Sequence, residues 1–120
     1  MVKLTQGMYP SIKICVTVNK IENYLLDFRR IHYREFADVG FARTDGYLLF
    51  QEIESQFDTQ VSREYCSYDD GAVEFIKYMY LGKTKKRTFR TVWRIDKMSP
   101  LPRFITAYRD KEGEKYVRRA

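Results

Sequence analysis

Hydrophobic and polar positions alternate with period two at both ends of this chain, and between them the period changes to that of a helix. Ile12, Ile14, Val16 and Val18 alternate with Lys13, Cys15, Thr17 and Asn19, the mark of a half-buried strand. Ile21, Tyr24, Leu25, Phe28, Ile31, His32, Phe36 and Val39 then recur at three-four spacing, which predicts one helix over 20–39 lying on a sheet by that stripe. Asn19 and Glu22 stand at capping-box spacing at its start, and Gly40 supplies the stop.

Residues 41–60 carry two patterns at once. Asp45-Gly46 would turn a hairpin between Phe41-Ala42-Arg43 and Tyr47-Leu48-Leu49-Phe50. Alternatively Asp45 would cap a second helix with the stripe Leu49, Ile53 and Phe57. The polar run Gln51, Glu52, Glu54, Ser55, Gln56 favours the helix.

Beyond Val61 the chain reads as an antiparallel meander. Val61–Tyr68 is followed by the turn Asp69-Asp70-Gly71, then by the aromatic-rich run Ala72–Leu81 and a turn over Gly82–Lys86. Arg87–Asp96 alternates again, with Phe89, Thr91, Trp93 and Ile95 facing a core and Thr88, Arg90, Val92 and Arg94 facing out. Pro100 and Pro102 interrupt the ladder because neither donates an amide hydrogen bond. Arg103–Arg109 resumes it, Lys111-Glu112-Gly113 turns, and Lys115–Arg119 forms a last strand. The fold class expected is α+β: an N-terminal strand and one or two helices packed on a C-terminal antiparallel sheet of three to five strands. A single domain over 1–120 is expected, with a strand/helix part over 1–60 and a sheet part over 61–120.

Charge changes this picture most. From Lys83 to Ala120 there are 13 Lys/Arg against 4 Asp/Glu, a net of +9, while residues 1–82 carry 9 against 12, a net of −3. An ordered cationic sheet on a mildly acidic body is the footprint of a polyanion-binding surface. The residues expected to carry it are Lys85, Lys86, Arg87, Arg90 and Arg94, with Arg103, Arg109, Arg118 and Arg119 behind them. In this reading the lysines neutralise phosphates and the strand arginines fork across a phosphate or stack on a base. RNA or single-stranded DNA is the expected partner, since Tyr65, Tyr68, Tyr78, Tyr80, Tyr108 and Tyr116 fall in the sheet, where exposed rings stack unpaired bases. Replacing Arg90 and Arg94 together by Glu should then remove binding and leave the fold intact. The alternatives are a solvated sheet face and an acidic protein partner, as for a small inhibitor or adaptor of the kind phages and mobile elements encode. The acidic stretch Glu52, Glu54, Asp58 with Glu64 makes the chain bipolar, which would serve head-to-tail association or orient a protein partner.

Composition narrows the remaining chemistry. The apolar fraction is 44% and 19 residues are aromatic, enough for a core without metal or disulfide staples. No apolar run reaches 18 residues, so no membrane span is expected. Residues 1–10 lack the basic-then-apolar pattern of a secretory leader. Cys15 and Cys66 are therefore expected as buried free thiols, in the cytoplasm. One His and two separated Cys make no zinc site, and no Asp-rich calcium loop is present, so neither metal nor cofactor is expected. Lys77 stands where a phosphate-binding loop ending at Gly82-Lys83-Thr84 would need its first glycine. His32, the single histidine, is either a structural residue at the edge of an apolar stripe or a general acid–base group.

The element order and the run Arg103-Phe104-Ile105-Thr106-Ala107-Tyr108-Arg109 are similar to the small metal-independent ribonuclease toxins of the RelE-like and barnase-like folds. That resemblance implies RNA cleavage, with Thr106, Tyr108, Arg109, Arg94 and His32 as the residues to test. Such chemistry needs a base for the 2′-hydroxyl, cations for the phosphorane charge and an acid for the leaving oxygen.

Overall fold

The computed structural model describes residues 7–118. Its centre is a four-stranded antiparallel sheet in the order β1-β2-β3-β4, comprising β1 (Ser62–Ser67), β2 (Val73–Leu81), β3 (Arg87–Asp96) and β4 (Ser99–Arg109). The alternation read from Arg87–Asp96 decides its two faces. Phe89, Thr91 and Trp93 are fully buried on the inner face, joined by Phe75, Met79, Leu81, Phe104 and Ala107. Phe75 sits opposite Trp93 and Met79 opposite Phe89, so each cross-strand pair adds to the same core. The polar Thr91 is tolerated there because its Oγ1 donates to the Lys77 carbonyl at 2.6 Å and accepts from Trp93 Nε1 at 2.8 Å.

The inner face is covered by α3 (Gly46–Phe57), through Leu49, Phe50 and Ile53. The choice of a helix over a hairpin for this segment therefore holds. Asp45 does not cap it by its side chain, however; the carboxylate turns back to accept from Ala42 N at 2.8 Å, in a 3-10 turn over Arg43–Asp45. Gln56 on α3 extends the ladder beyond the end of β1, with its amide accepting from Tyr80 N and donating to Tyr80 O.

The helix expected over 20–39 is broken. It begins as α1 (Val18–Lys20), capped by the Thr17 hydroxyl rather than by Asn19, and widens into a π turn over Ile21–Leu25. It resumes only as α2 (Tyr33–Asp38). The break has a local cause. The buried Asp27 carboxylate accepts from Arg29 N and binds the Arg29 guanidinium at 2.8 Å, offering the backbone a turn that competes with the helix. Phe28 and Ile31, expected on the buried stripe, consequently project into solvent. Gly40 ends α2 as expected, at φ +100°.

At the N-terminal side the alternation is right about the middle of the segment and wrong about its extent. Ile14 and Val16 are buried, Ile12 is exposed, and regular strand is reduced to two bridges, Met8 with Thr17 and Cys15 with Arg103. The second lays Cys15 parallel to β4, with Cys15 N donating to Pro102 O and Phe104 N to Cys15 O. β4 runs through both prolines, the irregularity being absorbed by register shifts against β3. The last strand expected, Lys115–Arg119, is instead a 3-10 turn over Lys111–Tyr116, and Arg119 lies outside the described residues. This turn folds over the outer face, where Gly113 approaches Tyr78 so closely that a Cβ would lie 2.1 Å from the ring. Cys15 and Cys66 are both free, yet Cys15 is half-buried and Cys66 exposed. No helix among the described residues is long and apolar enough to cross a membrane.

Candidate functional site

The outer face of the sheet carries a row of rings and cations that crosses all four strands. Arg63 on β1 lies over Tyr116, 3.9 Å from its ring centroid. Tyr116, delivered by the 3-10 turn, stacks on Tyr78 of β2 at 5.4 Å. The Tyr78 hydroxyl accepts from Arg90 of β3 at 3.2 Å, and Arg90 is the register partner of Tyr108 on β4. Tyr108 stacks on His32 at 5.4 Å and 19°, His32 meets Tyr24 edge-on at 6.5 Å, and Lys20 and Arg30 lie over Tyr24. Rings with a cation over the face gain cation–π attraction. Tyr24, His32, Tyr108 and Tyr116 are half-exposed, while Tyr78 is buried beneath them.

Burial raises the Tyr78 hydroxyl above its ordinary range, against the lowering influence of the Arg90 charge. Burial would lower Arg90, but Tyr108, Tyr78 and Glu64 outweigh it and hold the guanidinium charged. Beside Arg90 the outer face sinks into a shallow depression of about 430 Å³, lined in part by Tyr68, Ile76, Val92 and Tyr108.

Of the nine cations singled out from the sequence, the eight among the described residues do not form one cluster, and many are already neutralised. Lys85 pairs with Asp38 at 3.8 Å and Lys86 with Glu52, while Arg87 donates to the Lys86 carbonyl. Arg90 pairs with Glu64 and Asp110. Arg94 is surrounded by Asp96 at 2.7 Å, Glu74 at 3.3 Å and Asp70 at 3.5 Å, and Arg103 shares Asp96 at 3.1 Å. The hydrogen bond that Arg94 donates to Asp96 leads the effects that raise Arg94 above its ordinary value. Arg118 is exposed, and its backbone N–H donates to the Gln60 side chain. The acidic stretch thus closes on the basic end within one molecule, Glu52 on Lys86 and Glu64 on Arg90, while Asp58 pairs with Lys13 near the N-terminus. Reversing Arg90 and Arg94 would crowd like charges into this network, so that pair of substitutions tests the fold as much as the interface.

The sequence missed the cations of the row outside the basic tail. Lys20, Arg30 and Arg63 have no carboxylate within 4 Å among the described residues, and neither do the neighbouring Arg34 and Arg109. Lys20 and Arg30 meet Tyr24 in the same stretch of chain, Lys20 at a four-residue spacing, whereas Arg63 meets Tyr116 on a distant element, which spacing does not reveal.

Of the residues implied by the ribonuclease resemblance, three meet. Glu35 Oε1 accepts from His32 Nδ1 at 3.2 Å and from Arg109 N at 3.1 Å, and His32 lies on Tyr108. With the carboxylate on Nδ1 that nitrogen donates, and in a neutral ring Nε2 is then the acceptor. Thr106 lies two residues along β4, its Oγ1 buried without a partner, as are Nε of Arg90 and Nε of Arg109. Arg94 stands apart, opposite Arg103 at the other end of the sheet. No group of three His, Cys, Asp or Glu side chains suited to a metal ion occurs among the described residues. No family model, characterised protein or solved structure matches the chain.

Proposed function

We propose that the protein binds single-stranded nucleic acid along the row from Arg63 to Arg30. The observation that carries this reading is the alternation of half-exposed rings with cations across the sheet. Rings stack on bases of any sequence, and the cations between them meet the phosphates. The same proposal moves the centre of binding from the basic tail to the residues around Tyr108. Two unpaired cysteines, one exposed, suit a reducing compartment and a cytoplasmic site of action.

The test is a gel shift with labelled single-stranded RNA, single-stranded DNA and duplex DNA at about 50 and 200 mM salt. Engagement of about five phosphates weakens single-strand binding by about a hundredfold between those salts. Duplex should bind more weakly, because its bases are unavailable for stacking. No shift at either salt overturns the proposal and turns attention to an acidic protein partner.

Cleavage of the bound strand is a second reading, favoured by the hydrogen bond from His32 to Glu35. His32 Nε2 would take the 2′-hydroxyl proton as that oxygen attacks phosphorus. Arg90 would stabilise the phosphorane, and the Tyr108 hydroxyl would protonate the departing 5′ oxygen. Shortened RNA with a 2′,3′-cyclic end on the same gel would establish it. Intact RNA would leave binding alone.

A further inference from the structure

The inner face of the sheet holds a second feature unrelated to the row. α3 ends at Phe57, short of the end of the sheet, and leaves an open cleft of about 370 Å³ lined mainly by Phe57, Tyr65, Val73, Phe75 and Ile95. This volume is within the range of small-molecule sites. One cation stands in it. Lys77 is 7% exposed, its ammonium donates to Gln60 O at 2.6 Å, and it lies 4.5 Å from the Phe57 ring centroid. No carboxylate lies within 4 Å of it among the described residues, and the nearby Asp58 is held by Lys13. Burial pulls the Lys77 ammonium below its ordinary value, with the charge of Asp58 opposing.

An ammonium has three hydrogens. The bond to Gln60 O, which also satisfies a carbonyl just past the end of α3, uses one of them. Apolar walls around a desolvated cation are complementary to a molecule with a hydrocarbon body and a single anionic head. We propose that this cleft binds an amphipathic monocarboxylate of the medium-chain fatty acid class, its tail among Phe57, Phe75 and Ile95 and its head on Lys77. Ser62, at the rim of the cleft, offers a hydroxyl to the second carboxylate oxygen.

The test compares decanoate with decanol, which has the same tail and no charge, by isothermal titration calorimetry at neutral pH below micelle-forming concentrations. Decanoate should bind at least about tenfold more tightly, the contribution of one charge-assisted hydrogen bond. Lys77→Met should bring decanoate down to the affinity of decanol and leave decanol unchanged. Because Lys77 also holds Gln60, a second variant, Val73→Trp, fills the cleft with the lysine untouched and should remove both ligands. Equal binding of decanoate and decanol to the unaltered protein, no binding of either, or binding that survives Val73→Trp would overturn the proposal. So would a dimer by sedimentation that Val73→Trp converts to monomer, because the cleft would then be covered by a second copy of the chain.

Discussion

His32 and Tyr108 lie face to face, 5.4 Å between ring centroids and 19° from parallel. They are 76 residues apart in sequence, and their contact fixes the segment before α2 to β4, the last strand of the sheet. It also sets the plane onto which a base would stack, and most of what can be tested follows from that plane.

Tyr108→Ala removes the middle ring. Base–aromatic stacking contributes about 1–3 kcal/mol per base, so single-strand affinity should fall by roughly five- to 150-fold. Circular dichroism should be unchanged, since Tyr108 is only half-buried. Unchanged affinity in a gel shift would remove the row as the binding surface.

Arg94→Met separates the two cation sets. Its guanidinium already faces three carboxylates, so binding should stay within about twofold of the parent. Arg30→Ala and Arg63→Ala, whose cations face rings instead, should each weaken binding several-fold and lower the slope of affinity against salt. The opposite ranking would return the interface to the basic tail.

Gly113→Ala alters no member of the row. Its Cβ would overlap the Tyr78 ring, pushing the 3-10 turn and Tyr116 off the sheet. A loss of about 1–3 kcal/mol in stability is expected, together with weaker binding that Arg63→Ala does not weaken further. Urea unfolding and a double-mutant comparison check both parts.

Phe36→Ala probes the core beneath α2. Phe36 stacks on Phe89 at 4.6 Å and both are fully buried. Truncation should cost about 3–5 kcal/mol, read from the urea midpoint by circular dichroism.

Asp27→Asn bears on acid stability. Hydrogen bonds from the Arg29 guanidinium and backbone hold the Asp27 carboxyl well below the usual carboxylate range. The folded protein therefore binds fewer protons than the unfolded chain just below pH of about 4. The stabilisation from this pair is complete above that pH and declines as acid protonates the folded carboxyl. Asp27→Asn should be less stable than the parent at neutral pH, and the difference should shrink as the pH is lowered. A gap in urea midpoints that stays constant down to pH of about 2 would refute this.

The sheet was legible because alternation is a local property: Phe89, Thr91 and Trp93 face inward as their spacing requires. α3 was legible through its polar run. The broken helix was not, because one side chain, Asp27, competes for the backbone against a stripe that otherwise reads as continuous. The proposed interface was half legible. Charge counting located Arg90, but it could not show that Glu64, Glu74, Asp38 and Glu52, all from the acidic part of the chain, return to cover the basic tail. Nor could it show that Arg63, Tyr116 and Tyr78 come from three elements to form one end of the row.

Trp93 gives the molecule an optical reporter. It is the one tryptophan in the chain, it is fully buried, and its indole meets Phe57 and Phe104 edge-on. Native tryptophan emission therefore comes from a single dry environment and should shift to the red on unfolding, with no second tryptophan to blur the transition. Phe57 also walls the cleft of Lys77, so an occupant there would be sensed one ring away. The row of rings and cations on the opposite face of the sheet, which holds no tryptophan, would remain silent in that emission.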